Sequence, residues 1–430
     1  MTKITKLLAA ALIVTGFTVQ AQQAGIQYYR PLNQDGINMF ESPANCDMEF
    51  DGLKVRIGGA FKQQFQALSH ANDGSYDLYE IGPGFNLATA NLNLDVQLAD
   101  GVMMKLENYM SSRHHLEFWV KGGYIQMDKL PVLGSPQWFE DYFTVRVGHF
   151  QPNYGDMQFR RSDNGNGFYN PFIGNTIMDA FATEIGTDVR FATGDVFAIV
   201  GVTTGLIKGD ISVPGVIAYD TLGGEYQLAK NPSVLFKLGY DKQINDDLRV
   251  RLTGSMYHNG NTTRSTLYAG DRCGSGFTGV LSEPANARSD YKNGRVSPYF
   301  TNSVTAFMIN PFVKYGDLEF FGLYEMASGF DGSELTSAVP PMRSVNQMMG
   351  EVLYRFADDE FYIGARYNTI SGQFIRSSEE VVGASRYEIA AGWFLTENTL
   401  MKLEYVGQAH EGLMADGMFS GLMVEAIVAF

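Results

Sequence analysis

The chain has 430 residues, of which 18% are charged and 13% aromatic, with 47 glycines and two cysteines. Its formal charge of −15 disfavours a nucleic-acid partner, because phosphate binding needs a basic face. Beyond the N-terminal segment no stretch reaches the ~18 consecutive apolar residues of a spanning helix, which excludes a helical membrane protein.

Residues 1–21 read as a signal peptide. Lys3 and Lys6 precede an uncharged apolar run, and Val19-Gln20-Ala21 fits a small-residue cleavage site with no adjacent Cys for a lipid anchor. Residues 22–52 have no clear period and carry Pro31 and Pro43, so an irregular N-terminal arm is expected.

Regular alternation starts at Leu53. Leu53, Val55, Ile57, Gly59, Phe61 and Phe65 share one face; Lys54, Arg56, Lys62, Gln64 and Gln66 share the other. Successive side chains of a strand point to opposite faces, so this is a two-faced ribbon. The second strand is read from about Phe85 to Leu98, with Asp100-Gly101 turning the chain. A long segment, 151–179, separates the fifth strand from one read as Ala180 to Phe191. The rhythm then repeats through Gly316-Asp317, Asp358-Asp359 and Glu397-Asn398 to a last strand ending at Phe430. This predicts about sixteen strands, within roughly fourteen to eighteen, because segment 215–228 offers further strand. Pro311, inside one strand, costs a ladder hydrogen bond.

An even strand count with short turns at one end and long loops at the other suits a closed, all-β transmembrane antiparallel barrel over 53–430. Closure pairs every backbone group, which a bilayer demands. Tyr240, Tyr315, Tyr324, Tyr354, Phe356, Tyr367, Trp393, Tyr405 and Phe430 fall on the apolar face, many near turns, as at a water–lipid boundary. Outer-membrane lipid is thus an expected partner. The arm is then periplasmic or enters the lumen.

Parity places Lys54, Arg56, Lys62, Lys105, Lys121, Arg146 and Arg190 in the lumen, followed by Arg249, Arg251, Lys314, Arg355, Arg366, Arg386 and Lys402. The same face carries Asp95, Glu107, Glu184, Asp188, Glu351, Glu388 and Glu404. Either the cations give the pore an anion preference, or the two signs pair and merely solvate the lumen. The segment 151–179 contains Asp156, Arg160, Arg161 and Asp163 beside Tyr169, Pro171 and Phe172. Its length and aromatic content predict a loop folded inward that narrows the channel, the alternative being a loop over the rim.

No enzyme, cofactor or metal site is expected. His70, His149, His258 and His410 are scattered, and His114-His115 with Glu117 is a weak metal pattern because adjacent residues cannot share a strand face. No nucleophile elbow accompanies them. Cys46 and Cys273 fall at opposite ends of the barrel, so a disulfide requires the arm to thread inside.

The strand–loop order, the long loop after the fifth strand and the terminal Phe430 after Leu422, Val424, Ala426 and Val428 resemble the Gram-negative porins. The run Val145-Arg146-Val147-Gly148-His149-Phe150-Gln151-Pro152 resembles the strand-to-loop junction of phosphate-selective porin-like proteins, with Gln151 where that family commonly has Lys. The resemblance implies a passive diffusion pore for small hydrophilic solutes or anions. It also implies a homotrimer and insertion by the outer-membrane assembly machinery through a signal ending at Phe430. Two other functions remain open: a substrate-specific transporter of hydrophobic or oligomeric solutes plugged by the arm, and a surface adhesin or structural barrel using the loop 259–298.

Overall fold

A computed structural model describes residues 24–43, 46, 48–75, 77–111, 118–207, 216–219, 225–228, 230–270, 276–284, 293–334 and 342–430. The signal peptide, Cys273 and His114-His115-Glu117 lie outside the described residues.

Sixteen long strands form one closed antiparallel sheet among the described residues. They are β1 (Lys54–Ala71), β2 (Thr89–Ala99), β3 (Val102–Ser111), β4 (Phe118–Met127), β5 (Phe143–Phe150), β6 (Glu184–Thr193), β7 (Val196–Thr203) and β8 (Ser233–Gln243). The second half comprises β9 (Leu248–Asn259), β10 (Ser303–Tyr315), β11 (Leu318–Phe330), β12 (Arg343–Phe356), β13 (Phe361–Gly372), β14 (Val382–Thr396), β15 (Thr399–Glu411) and β16 (Met418–Ala429). Each strand pairs with its sequence neighbours. The barrel closes where β1 meets β16, from Ala60↔Ala429 to Ala71↔Met418. Beyond that ladder the backbones of Gly59 and Phe430 exchange two hydrogen bonds of 3.0 Å, so the C-terminal residue completes the seam.

Of the boundaries that depart from the sequence reading, three bear on the barrel's layout. Only Gly84–Phe85 pairs near the start of the second strand, against Phe65 and Gln66, and β2 itself begins at Thr89. The sixth strand begins at Glu184 rather than Ala180, because the chain before it is drawn into the lumen: Phe181 donates its N–H to the Leu267 carbonyl at 2.7 Å. Segments Val216–Tyr219 and Glu225–Leu228 form a hairpin that pairs with itself, so the barrel gains no strand from them.

Pro311 is accommodated within β10. In the register of β10 with β11 it stands opposite Gly322, which has no side chain to meet the ring. The carbonyl of Gly322, deprived of a backbone donor, accepts instead from Asn310 Nδ2 at 3.1 Å. The lost ladder bond is thereby replaced one residue away.

The alternation sorts side chains as expected. All nine predicted boundary aromatics are exposed on the outside, with Leu53, Val55, Ile57 and Phe61. No helix among the described residues is long and apolar enough to cross a membrane; the strands present the apolar belt instead. A Lys or Arg on that face would cost about 2–4 kcal/mol at the bilayer midplane, which is the physical reason the charges collect inside.

Candidate functional site

The segment after β5, residues 151–183, runs through the lumen rather than over the rim. Asp156 is fully buried and accepts from Arg251 at 2.8 Å and Thr253 at 2.9 Å, with Lys237 at 2.6 Å. Its own N–H donates to Asn310 Oδ1 at 2.9 Å. Arg160 reaches Glu351 at 2.7 Å and Glu319 at 3.7 Å on the wall opposite β5. The tip then touches the β2–β4 wall, where Gly165 donates to Asn91 Oδ1 at 2.8 Å and Asp163 accepts from Tyr109 and Lys121. Finally Ile173, Ile177 and Met178 donate backbone N–H groups to Glu404, Asn368 and Gln347. Non-repeating backbone is tolerated at this depth because lumen side chains satisfy it.

The N-terminal arm enters from the short-turn end and lies beneath this loop. Gln27 bonds to Gln97 and Asp100 at the β2–β3 turn, and Gln34 donates to the Glu397 carbonyl at the β14–β15 turn. Glu41 takes the same two cations as Asp156: Lys237 at 3.0 Å and Arg251 at 2.9 Å. Two carboxylates from two irregular segments and two cations from β8 and β9 thus form one cluster, which Arg251 extends to Asp241 at 3.0 Å and through it to Arg249. Burial opposes the charge of Glu41, but Arg251 and Lys237 outweigh it and hold the carboxyl well below the usual range. The same balance lowers Asp156. Arm and loop also bind each other directly. Arg30 donates to the Phe159 carbonyl at 3.1 Å and stacks 3.7 Å from the Tyr169 ring. Tyr169 donates to the Pro31 carbonyl; burial pushes its phenol up to about 12, so it stays protonated and a donor. Arg160 donates to Asn38 Oδ1.

Between arm, loop and the wall of β2–β7 lies a polar cavity of about 200 Å³. Its lining includes six cations, Arg30, Lys105, Lys121, Arg146, Arg161 and Arg190, and four carboxylates, Glu41, Glu107, Asp163 and Asp188. Most are paired. Lys105 and Lys121 share Glu107, Lys121 also meets Asp163, Arg146 meets Asp188, and Arg161 meets Asp179 at 2.6 Å. Arg30 and Arg190 have no carboxylate within salt-bridge distance among the described residues. Arg30 is held by the carbonyls of Gly36 and Phe159, Arg190 by the Ser42 carbonyl at 2.7 Å and Thr144 Oγ1 at 3.3 Å.

Of the residues singled out in the sequence, Arg161 and Asp163 border this cavity, as do Lys105, Lys121, Arg146 and Arg190. Asp156 and Arg160 sit behind it as anchors of the loop. Lys62 is buried beside Glu425 at 3.8 Å, Lys54 pairs with Asp51 at 2.7 Å, and Arg56 stacks on Tyr29. The sequence reading did not single out Arg30 and Glu41. The signal was present in the arm: Tyr28-Tyr29-Arg30 and Phe40-Glu41 place aromatics beside charges, a pattern suited to docking into a polar lumen. The loop after β9 was read as external. In its described part Leu267, Tyr268, Phe277, Val280, Val296 and Phe300 are buried. Cys46 makes no disulfide with a described residue.

No protein-family model and no curated protein matches the chain. Solved structures do match. The outer membrane channel DcaP of Acinetobacter baumannii is 9% identical, with 89% of this chain and 99% of that chain covered and a TM-score of 0.52. OprB of Pseudomonas putida is 11% identical, with 88% and 94% covered and a TM-score of 0.52. An anion-selective porin from Comamonas acidovorans is 13% identical, with 88% and 100% covered and a TM-score of 0.50. The likeness extends to porins and channels generally and singles out no phosphate-selective group. At these identities it establishes architecture: the chain has the closed sixteen-stranded barrel fold shared by Gram-negative outer-membrane porins.

Proposed function

We propose that the protein is an outer-membrane channel for passive diffusion of small hydrophilic solutes and ions, with a preference for anions. The observation that carries this reading is the cavity inside a lipid-compatible barrel, lined by six cations against four carboxylates. A narrow, low-dielectric passage with excess positive charge concentrates anions, even in a protein whose net charge is −15. Homotrimer formation, insertion through the strand ending at Phe430 by the assembly machinery, and passage of phosphate belong to the same proposal; for phosphate, the junction Val145 to Pro152 is the support and Gln151 the departure. No catalytic role is assigned to any residue. Purified protein in planar bilayers tests the reading: stepwise conductance with a reversal potential favouring chloride in a KCl gradient is expected. Absence of current would refute the channel, and cation preference the charge assignment.

The arm inside the lumen favours a second reading, a channel selective for a particular solute that must pass between arm and wall. Liposome swelling with sugars, amino acids and organic acids of equal size distinguishes the two, since a general pore ranks them by size and charge alone.

A further inference from the structure

We propose that the ion selectivity of this channel is set largely by a residue that does not belong to the barrel, Arg30 of the N-terminal arm, together with Arg190 of β6. The inference rests on the diffusion-channel reading and refines it. Charges on the inner loop are the natural first candidates, yet the structure commits them elsewhere. Asp156 is spent on Lys237 and Arg251, and Arg160 on Glu351 and Glu319. Arg161 is held by Asp179, and Asp163 by Lys121 and Tyr109. A paired charge contributes a dipole whose field falls off quickly, so these groups position the loop more than they act on a passing ion.

Arg30 and Arg190 differ in their partners. Nε of Arg30 donates to the Gly36 carbonyl at 3.1 Å, and Nη2 to the Gly36 and Phe159 carbonyls at 3.0 and 3.1 Å. The Tyr169 face lies beneath it. Arg190 is held by a carbonyl and a hydroxyl. Neutral acceptors and an aromatic face fix each guanidinium without a contact ion pair, the nearest carboxylates (Glu41 for both, Asp128 and Asp188 for Arg190) acting from beyond salt-bridge distance, and both groups border the same cavity. The two sites are also coupled through the arm. It contributes Arg30 itself, and it supplies the Ser42 carbonyl that orients Arg190. The ligand implied is a small anion in transit, drawn to a fixed positive site one wall of which is the arm.

Reversal potentials of Arg30→Gln, Arg30→Lys and Arg190→Gln in a KCl gradient test the assignment. Arg30→Gln and Arg190→Gln should each lower the chloride-to-potassium permeability ratio by about threefold or more, through loss of one focused charge. Arg30→Lys should keep the ratio near wild type, because it keeps the charge while losing the forked contact with the two carbonyls. A conducting Arg30→Gln protein with an unchanged ratio overturns the assignment while leaving the channel reading intact. So does an Arg30→Lys protein that loses as much as Arg30→Gln, since Arg30 would then act only as an anchor. A wild-type protein that passes no current overturns both readings.

Discussion

At the scale of single residues, the interior is organised by charges that are buried and mutually satisfied. The cluster of Glu41, Asp156, Lys237 and Arg251 is the clearest case. Removing one partner strands the others in a site of low dielectric, so Arg251→Ala is expected to destabilise the protein by about 3–5 kcal/mol. Thermal unfolding in detergent, compared with wild type, measures this; a change below about 1 kcal/mol would mean that water screens the cluster. The same cluster gives a pH dependence. Glu41 and Asp156 have folded-state values below their ordinary 4.5 and 3.8. Above those ordinary values both folded and unfolded chains are ionised and the contribution is complete. Below them the unfolded chain takes up protons first, so stability falls with pH and the contribution vanishes once the folded carboxyls protonate. Docking of the arm is therefore expected to be constant from neutral pH to about pH 5 and to weaken only in stronger acid. Maleimide labelling of Cys46 in a Cys273→Ser background, normalised at each pH to the unfolded chain because only the thiolate reacts, reports it, and release of the arm between pH 7 and 5 would contradict it.

Tyr169 makes a smaller contribution. Tyr169→Phe removes its bond to the Pro31 carbonyl and should cost about 0.5–1.5 kcal/mol. The effect should appear as a lower unfolding temperature, with the Arg30 stack retained on the Phe ring. A loss equal to that of Arg251→Ala would mean the phenol carries more of the arm's docking than a single neutral bond.

At the scale of elements, β10 and β11 show how a strand absorbs a residue that breaks ladders. Asn310 does two things: its amide nitrogen serves the Gly322 carbonyl orphaned by Pro311, and its oxygen receives Asp156 N–H from the inner loop. Asn310→Ala therefore leaves two backbone groups unpaired, at about 1–3 kcal/mol each. Gly322→Val is expected to be harmful for a steric reason, since a Cβ there would stand 2.9 Å from the Pro311 ring. Urea unfolding of both variants checks these expectations. If Pro311→Val restored stability to Asn310→Ala, the compensation between these neighbours would be established directly.

The elements also show what period-two patterning conveys. Lys62, Lys105, Lys121, Arg146 and Arg190 point inward and the nine aromatics outward because side-chain direction in a strand follows from residue parity alone. Strand ends carried less information. Ala180 to Thr183 continue an apolar pattern, yet they leave the sheet because Phe181 finds its backbone partner in the loop after β9.

At the scale of the whole molecule, the barrel is a rigid frame and its permeability is decided by what fills it. The arm, the inner loop and the loop after β9 occupy much of the lumen, and the polar cavity borders β2–β7. Deleting residues 24–43 is expected to leave a folded barrel of lower unfolding temperature, since none of these residues belongs to the closed sheet but Glu41 is lost from the buried cluster. Its single-channel conductance should rise by about twofold or more as the passage widens. An unchanged conductance would place the constriction elsewhere.

Sequence alone determined the architecture: closed barrel, outward aromatics, inward charges and the long loop after β5. Each follows from a local rule, the alternation of side chains across a pleated strand, and from the bilayer's demand that every backbone group be paired. Which charges reach a passing solute was decided only by tertiary structure. Glu41 and Lys237 are 196 positions apart, and neither lies in a pattern that names the other. The arm and inner loop have no period, so their partners depend on where a twisted, closed sheet brings fourteen or more lumen charges to face them. That is why Arg160 pairs with Glu351, and why Arg30, outside the alternating region, stands at the cavity wall on neutral acceptors.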